Sequence, residues 1–224
     1  MLEDRDAQGR LLSRTPLLMG QAHGRVMQFG ANEAPRIIAE YRHGQRHGEL
    51  QCYDARGQLL QTAMYRGDVQ HGPTTLYSGG RVVSTQQFVD GLLHGDTVCH
   101  AASGLVVARL PYRLGVLHGE ATYLQDGRIV RRAMYRDGML NGTSEDRDRA
   151  GRLVQSAHYR ENVLHGALCR YWPTGQIMEE TIYQDGKVKG APRRFDAQGA
   201  EATESPVPAP GGKFVRDFEK WVRG

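Results

Sequence analysis

Tyr41-Arg42-His43-Gly44-Gln45-Arg46-His47-Gly48 is the phrase that decides the fold, because the chain keeps returning to it. A glycine preceded by His, Asn or Lys closes eight such phrases: His23-Gly24, His47-Gly48, His71-Gly72, His94-Gly95, His118-Gly119, Asn141-Gly142, His165-Gly166 and Lys189-Gly190. Successive glycines lie 24, 24, 23, 24, 23, 24 and 24 residues apart. A period that regular marks a repeat array rather than an ordinary globular domain. Seven residues before the glycines stand Leu17, Tyr41, Tyr65, Phe88, Tyr112, Tyr135, Tyr159 and Tyr183. Within five residues after them come Phe29, Tyr53, Tyr77, His100, Tyr123, Arg147, Tyr171 and Phe195. A second turn marker follows at Glu33, Gly57, Gly80, Gly104, Gly127, Gly151, Gly175 and Gly199, and both 23-residue intervals lose their residue there.

Twenty-eight glycines and ten tyrosines, with few long apolar runs, suit short strands and tight turns. In one unit Glu49 to Tyr53 reads as a strand, Asp54 to Gly57 as a turn and Gln58 to Tyr65 as the return strand. The chain is therefore expected to be all-β: an elongated array of about eight antiparallel hairpins, entered and left on half units at Asp6-Ala7-Gln8-Gly9 and Phe195-Asp196-Ala197-Gln198-Gly199. At roughly 4.8 Å per strand such an array spans about 75 Å. Asp90-Gly91, Asp137-Gly138 and Asp185-Gly186 supply the positive φ that a tight link between hairpins needs, and Asn162 stands in that slot once. Alternation places each return-strand aromatic on one face with the residue two before it and the aliphatic six before it, Leu59 in the unit above. Pro111 cannot donate to a ladder and predicts a gap in pairing.

The period covers residues 1–202. Residues 203–212 read as a Pro/Gly linker, and 213–224 as a short amphipathic helix with Phe214, Phe218 and Trp221 on its apolar side. That helix either covers part of the array or inserts into a partner. A net charge of +4 is too small for a dedicated nucleic-acid binder, and no direct nucleic-acid contact is expected. The charged start MLEDRDAQGR lacks a signal segment and no window is apolar enough to span a membrane, which makes a cytoplasmic location the expectation. Cys52, Cys99 and Cys169 form no paired spacing and read as reduced packing residues.

Six of the nine histidines belong to the His-Gly phrase. Equivalent residues of successive hairpins stand roughly 10 Å apart, whereas ligands of one zinc each come within about 2 Å of it. They read as turn or packing residues, with no metal or cofactor. Arg42, Arg66, Arg113, Arg136 and Arg160 each follow the repeat aromatic, which puts them in a column on the face opposite the tyrosines. Such a column is either a self-neutralised edge, given the acids at the adjoining turns, or a phosphate-binding ladder. The sixth outgoing strand, Thr143 to Asp148, has no apolar residue. Glu145, Asp146 and Asp148 read as part of a surface loop, or as an acidic contact for a basic partner. No nucleophile, phosphate loop or zinc motif stands outside the repeat frame, so the chain is not expected to be an enzyme.

The pattern Tyr-x-x-Gly-x-x-x-Gly, then Tyr-x-x-x-Gly, as in Tyr41 to Gly48 and Tyr53 to Gly57, resembles MORN repeats over about residues 6 to 202. The variant looks most like bacterial MORN-like antitoxin components of toxin-antitoxin systems. The resemblance implies a rod of hairpins that binds a protein: an antitoxin or immunity protein neutralising a cognate, secreted toxin, with a nuclease as the first candidate. The alternative it implies is a membrane-associated or scaffolding array that sets its arginines on anionic lipid head groups. Leu17, Glu33, His100, Arg147 and Asn162 depart from the repeat pattern.

Overall fold

The computed structural model of the protein describes residues 1–202; the linker 203–212 and the segment 213–224, with Phe214, Phe218 and Trp221, lie outside the described residues. Among the described residues nineteen strands form one antiparallel sheet, and Leu17–Leu18 pairs with Gln21–Ala22 in a separate two-stranded one. Each strand pairs with its neighbours in the chain, so Gln45–Tyr53 lies between Pro35–Arg42 and Leu59–Arg66. Each repeat is one hairpin, as the period requires.

Turn chemistry explains the local geometry. The first turns, which link one hairpin to the next, have two residues at positive φ, such as Asp137 (50°) and Gly138 (82°). Both conformations are left-handed, which matches the twist of the flanking strands and favours Asp, Asn and Gly. The second residue of each turn also donates its N–H to a carbonyl of the hairpin before, as in Gly91 to Gln70, Gly115 to Leu93 and Gly138 to Leu117, each at 2.8 Å. The turns are thereby stitched together along one edge. The second turns are longer, and Asp54 accepts from the N–H groups of Arg56 and Gln58, both at 2.8 Å. In the two 23-residue intervals this turn shrinks to Gly79-Gly80 and Asp126-Gly127. The missing residue is local, as its position in the repeat indicated.

Alternation through the return strand fails at one point. The register shifts between Cys52 and Tyr53, so that Leu59 pairs with Tyr53 and Leu60 is the extra residue. The same shift recurs beside Val82, Val106, Ile129, Leu153 and Ile177. The aliphatic six before the aromatic therefore stands across from the outgoing strand's last residue instead of simply sharing the face of the return aromatic; an inserted residue breaks the period of two. Pairing does lapse beside Pro111, between Tyr112–Leu117 and Arg109–Thr122, but it lapses in the same way beside Gln87, between Phe88–Leu93 and Thr85–Val98, so the gap belongs to the repeat and not to the proline.

Burial is thin. The fully covered residues are small, and most lie in one row that crosses the sheet: Ala39, Ala63, Thr74, Thr97, Ala121, Ala133, Ser144, Ala157 and Thr181. On one face, here the tyrosine face, the row is flanked by the return-strand aromatics. Each aromatic sits opposite the repeat glycine, as Tyr65 does opposite Gly48 and Tyr159 opposite Gly142. A single layer with so little buried area rests on contacts between neighbouring repeats.

Candidate functional site

The column of arginines lies on the other face, next to the first turns, and all five members are exposed. Arg113 pairs with Asp137 at 3.3 Å, and Arg160 pairs with Asp185, in each case a carboxylate from the next first turn. Arg42, Arg66 and Arg136 make no ion pair among the described residues. For two of them the reason is local: Asp68, in the next first turn along from Arg42, is taken by the Arg46 guanidinium at 3.0 Å, and the next first turn along from Arg136 carries Glu161-Asn162 instead of Asp-Gly.

The histidines of the repeat phrase tie each turn to the hairpin before it. Nδ1 of His71, His118 and His165 lies 3.3 Å from the carboxylates of Asp90, Asp137 and Asp185. The backbone N–H groups of the same aspartates donate to those nitrogens at 3.4 Å. No group of three potential ligands that could hold a metal occurs among the described residues.

Glu145 to Arg147 is not a loop. It belongs to the strand Met139–Arg147, with Ser144 buried in the central row. The charged residues are tolerated there because they pair, although the buried Ser144 hydroxyl has no hydrogen-bond partner among the described residues. Arg147, in the aromatic slot, pairs with Glu145 at 2.7 Å and donates to the Gly151 carbonyl at 3.2 Å. Tyr53 makes the equivalent bond to Gln51 at 2.7 Å, which shows how a guanidinium can replace a phenol. Asp146 faces Arg131 at 3.6 Å, and burial still pushes its carboxyl above the ordinary range. Asp148 starts the second turn, where the Arg152 side chain and backbone N–H groups hold its carboxyl below that range. The three acids thus sit in one segment, and each is engaged by an arginine of this chain.

Register across strands reveals what a single repeat hides. On the tyrosine face a row runs Ile37, Cys52, Gln61, Leu76, Ser84, Cys99, Ala108, Tyr123. It continues Arg131, Asp146, Gln155, Arg170, Glu179, Arg194. The neutral half changes to a charged half at Tyr123, itself 7% exposed and packed with Ala108 and Ala121. Charges in the second half alternate and pair, with Arg170–Glu179 at 3.4 Å and Arg194–Glu179 at 3.1 Å. On the arginine face a different feature stands open: the residue after each repeat glycine is acidic at Glu49, Asp96 and Glu120, and all three are exposed, with Glu40 nearby against the Gly48 position. Sequence reading passed over this column although its period was visible.

The MORN repeat variant family model matches residues 46–66 and 164–189. The chain contains MORN-like repeats. The matched segments are units whose phrases, His47-Gly48 and His165-Gly166, are intact, and the hairpins between them repeat the same geometry. No curated protein matches the chain.

Proposed function

We propose that the MORN-like array is a binding surface that neutralises a cognate toxin stoichiometrically, as an antitoxin or immunity protein acting in the cytoplasm without catalysis of its own. The observation that carries the reading is the exposed acidic column Glu49, Asp96 and Glu120 on one face of the array. A basic partner, a nuclease above all, fits that exposed column, in which Glu120 alone meets an arginine of this chain, Arg132 at 3.8 Å, better than it fits Glu145, Asp146 and Asp148, all three of which this chain's arginines engage. Opposed charge of this kind speeds encounter and weakens with salt.

The test is binding between the purified chain and the product of the adjacent gene, with growth protection as the second readout. Glu49→Lys with Glu120→Lys should lower affinity at least tenfold at low salt and abolish protection. No complex and no protection by the unaltered chain would refute the antitoxin reading. A second reading follows from Arg42, Arg66 and Arg136, exposed and unpaired in their column: contact with anionic lipid head groups. Salt-sensitive sedimentation with phosphatidylserine vesicles, lost in Arg66→Glu with Arg136→Glu, would favour it.

A further inference from the structure

The column beside the repeat glycines on the arginine face changes character partway along the array. Its first part carries Glu40, Glu49, Asp96 and Glu120, with Pro73 and Gln87 between them. From Met134, which faces Glu120, it holds no further acid among the described residues: Thr143 faces His158, and Ala167 faces Ile182. Met134 is 39% and Ile182 42% exposed, and His158 between them is exposed as well. An open strip without acids thus crosses the sheet from Arg128–Arg136 to Ile177–Gln184. Four strand spacings make it about 19 Å long.

Basic side chains rim this strip. Arg132 and Arg136 stand two residues either side of Met134, on the same face by alternation and about 13 Å apart. That gap is close to the width of a helix with its side chains, about 10–12 Å. Arg136 makes no ion pair among the described residues; Arg132 has a buried Nε without a hydrogen-bond partner there and meets Glu120 at 3.8 Å. Arg160 continues the rim on the side of the first turns.

The sequence beyond Ala202 supplies a segment that fits such a strip. Read as a helix, Lys213 to Arg223 gathers Phe214, Val215, Phe218, Trp221 and Val222 into an arc about 120° wide. Asp217 borders that arc on one side and Glu219 on the other, while Arg216, Lys220 and Arg223 point away from it. Acids at both borders complement an arginine rim and are repelled by the acidic part of the column. Twelve helical residues are about 18 Å long, the length of the strip. Ala202 donates to the Arg194 carbonyl at 2.9 Å, and Arg194 faces Glu179, three residues from Ile182. Residues 203–212 extend to about 33 Å, ample to bring Lys213 to the near end of the strip.

We propose that residues 213–224 of this chain dock as a helix along the strip from Ile182 to Met134. One bordering carboxylate meets Arg136 and Arg160, and the other meets Arg132. Phe214 lies toward the Ile182 end and Trp221 with Val222 toward the Met134 end. Glu49, Asp96 and Glu120 stay open, so the proposal stands apart from any toxin.

Trp221 reports the docking in the full chain, its emission taken as the difference between the full chain and Trp221→Phe. Docked, it is blue-shifted and shielded from acrylamide, and both properties survive dilution by about a hundredfold because the contact lies within one chain. Ile182→Asp should raise its quenching constant at least threefold, and so should Asp217→Lys with Glu219→Lys, a pair outside the array that leaves the array's own contacts intact. Far-ultraviolet circular dichroism checks that each variant keeps its strands. Three results overturn the proposal. Full accessibility of Trp221 in the unaltered chain leaves the segment to a partner, and shielding lost on dilution assigns it to a second copy. Shielding indifferent to either variant removes the strip or its rim as the docking site.

Discussion

Replacing Gly95 by valine isolates the backbone requirement of the repeat glycine. Gly95 has φ 97° and stands directly across from Tyr112. A Cβ there would lie 3.6 Å from the Gln87 Cβ, an ordinary contact, so the substitution is not crowded. What remains is the cost of holding a β-branched residue in left-handed backbone, about 1–3 kcal/mol. Gly166, with φ 114°, differs in one respect: a Cβ would stand 3.0 Å from the His158 Cβ. Gly166→Val should therefore lose about 1 kcal/mol more than Gly95→Val, since a packed neighbour has to move. Denaturant unfolding gives the totals, and amide exchange gives their location. Because neighbouring repeats stabilise one another, faster exchange should be confined near Gly95–His100 and Val106–Arg113, leaving Gly24–Phe29 unchanged. Unaltered stability in Gly95→Val would refute the backbone argument, and equal losses at the two sites would refute the steric one.

Asp146 offers a test in pH. Burial raises its carboxyl and Arg131 offsets this only in part, so the folded chain holds the proton more tightly than the unfolded chain. Stability from this group is present below about pH 3.9, the ordinary aspartate value, and is lost as pH rises through the higher folded value. Asp146→Asn should accordingly be neutral or stabilising at pH 7 in thermal melts; a clear loss there would mean that the Arg131 pair outweighs burial. Asp148 has the opposite sign, lowered chiefly by Arg152, and its contribution should fade as pH falls through its folded value, as an acid titration of Asp148→Asn against the unaltered chain would show. Arg147→Tyr with Glu145→Gln recreates the Tyr53–Gln51 bond in the sixth hairpin. The double variant should be more stable than the sum of the two singles predicts, by about 0.5–1 kcal/mol in a thermodynamic cycle.

Periodicity made the hairpins legible because each tyrosine, glycine and Asp-Gly turn meets the same local demand in every unit. Legibility ended where the governing relation runs between strands. Glu145 to Asp148 looks like a loop when judged by its own residues, since nothing in it is apolar. Its partners decide otherwise: Asp146 faces Arg131, and Arg147 folds back on Glu145 and the Gly151 carbonyl. A sheet one layer thick offers polar side chains a choice that a two-layer core does not, because their tips can reach solvent while their stems cover the small central residues. That freedom lets one repeat frame carry Ile37, Cys52 and Leu76 in its first half and Arg131, Asp146, Arg170 and Glu179 in its second without changing the backbone. Recognition can then diversify along the array at positions the hairpin leaves open, and the residue after each repeat glycine, acidic at Glu49, Asp96 and Glu120, is such a position.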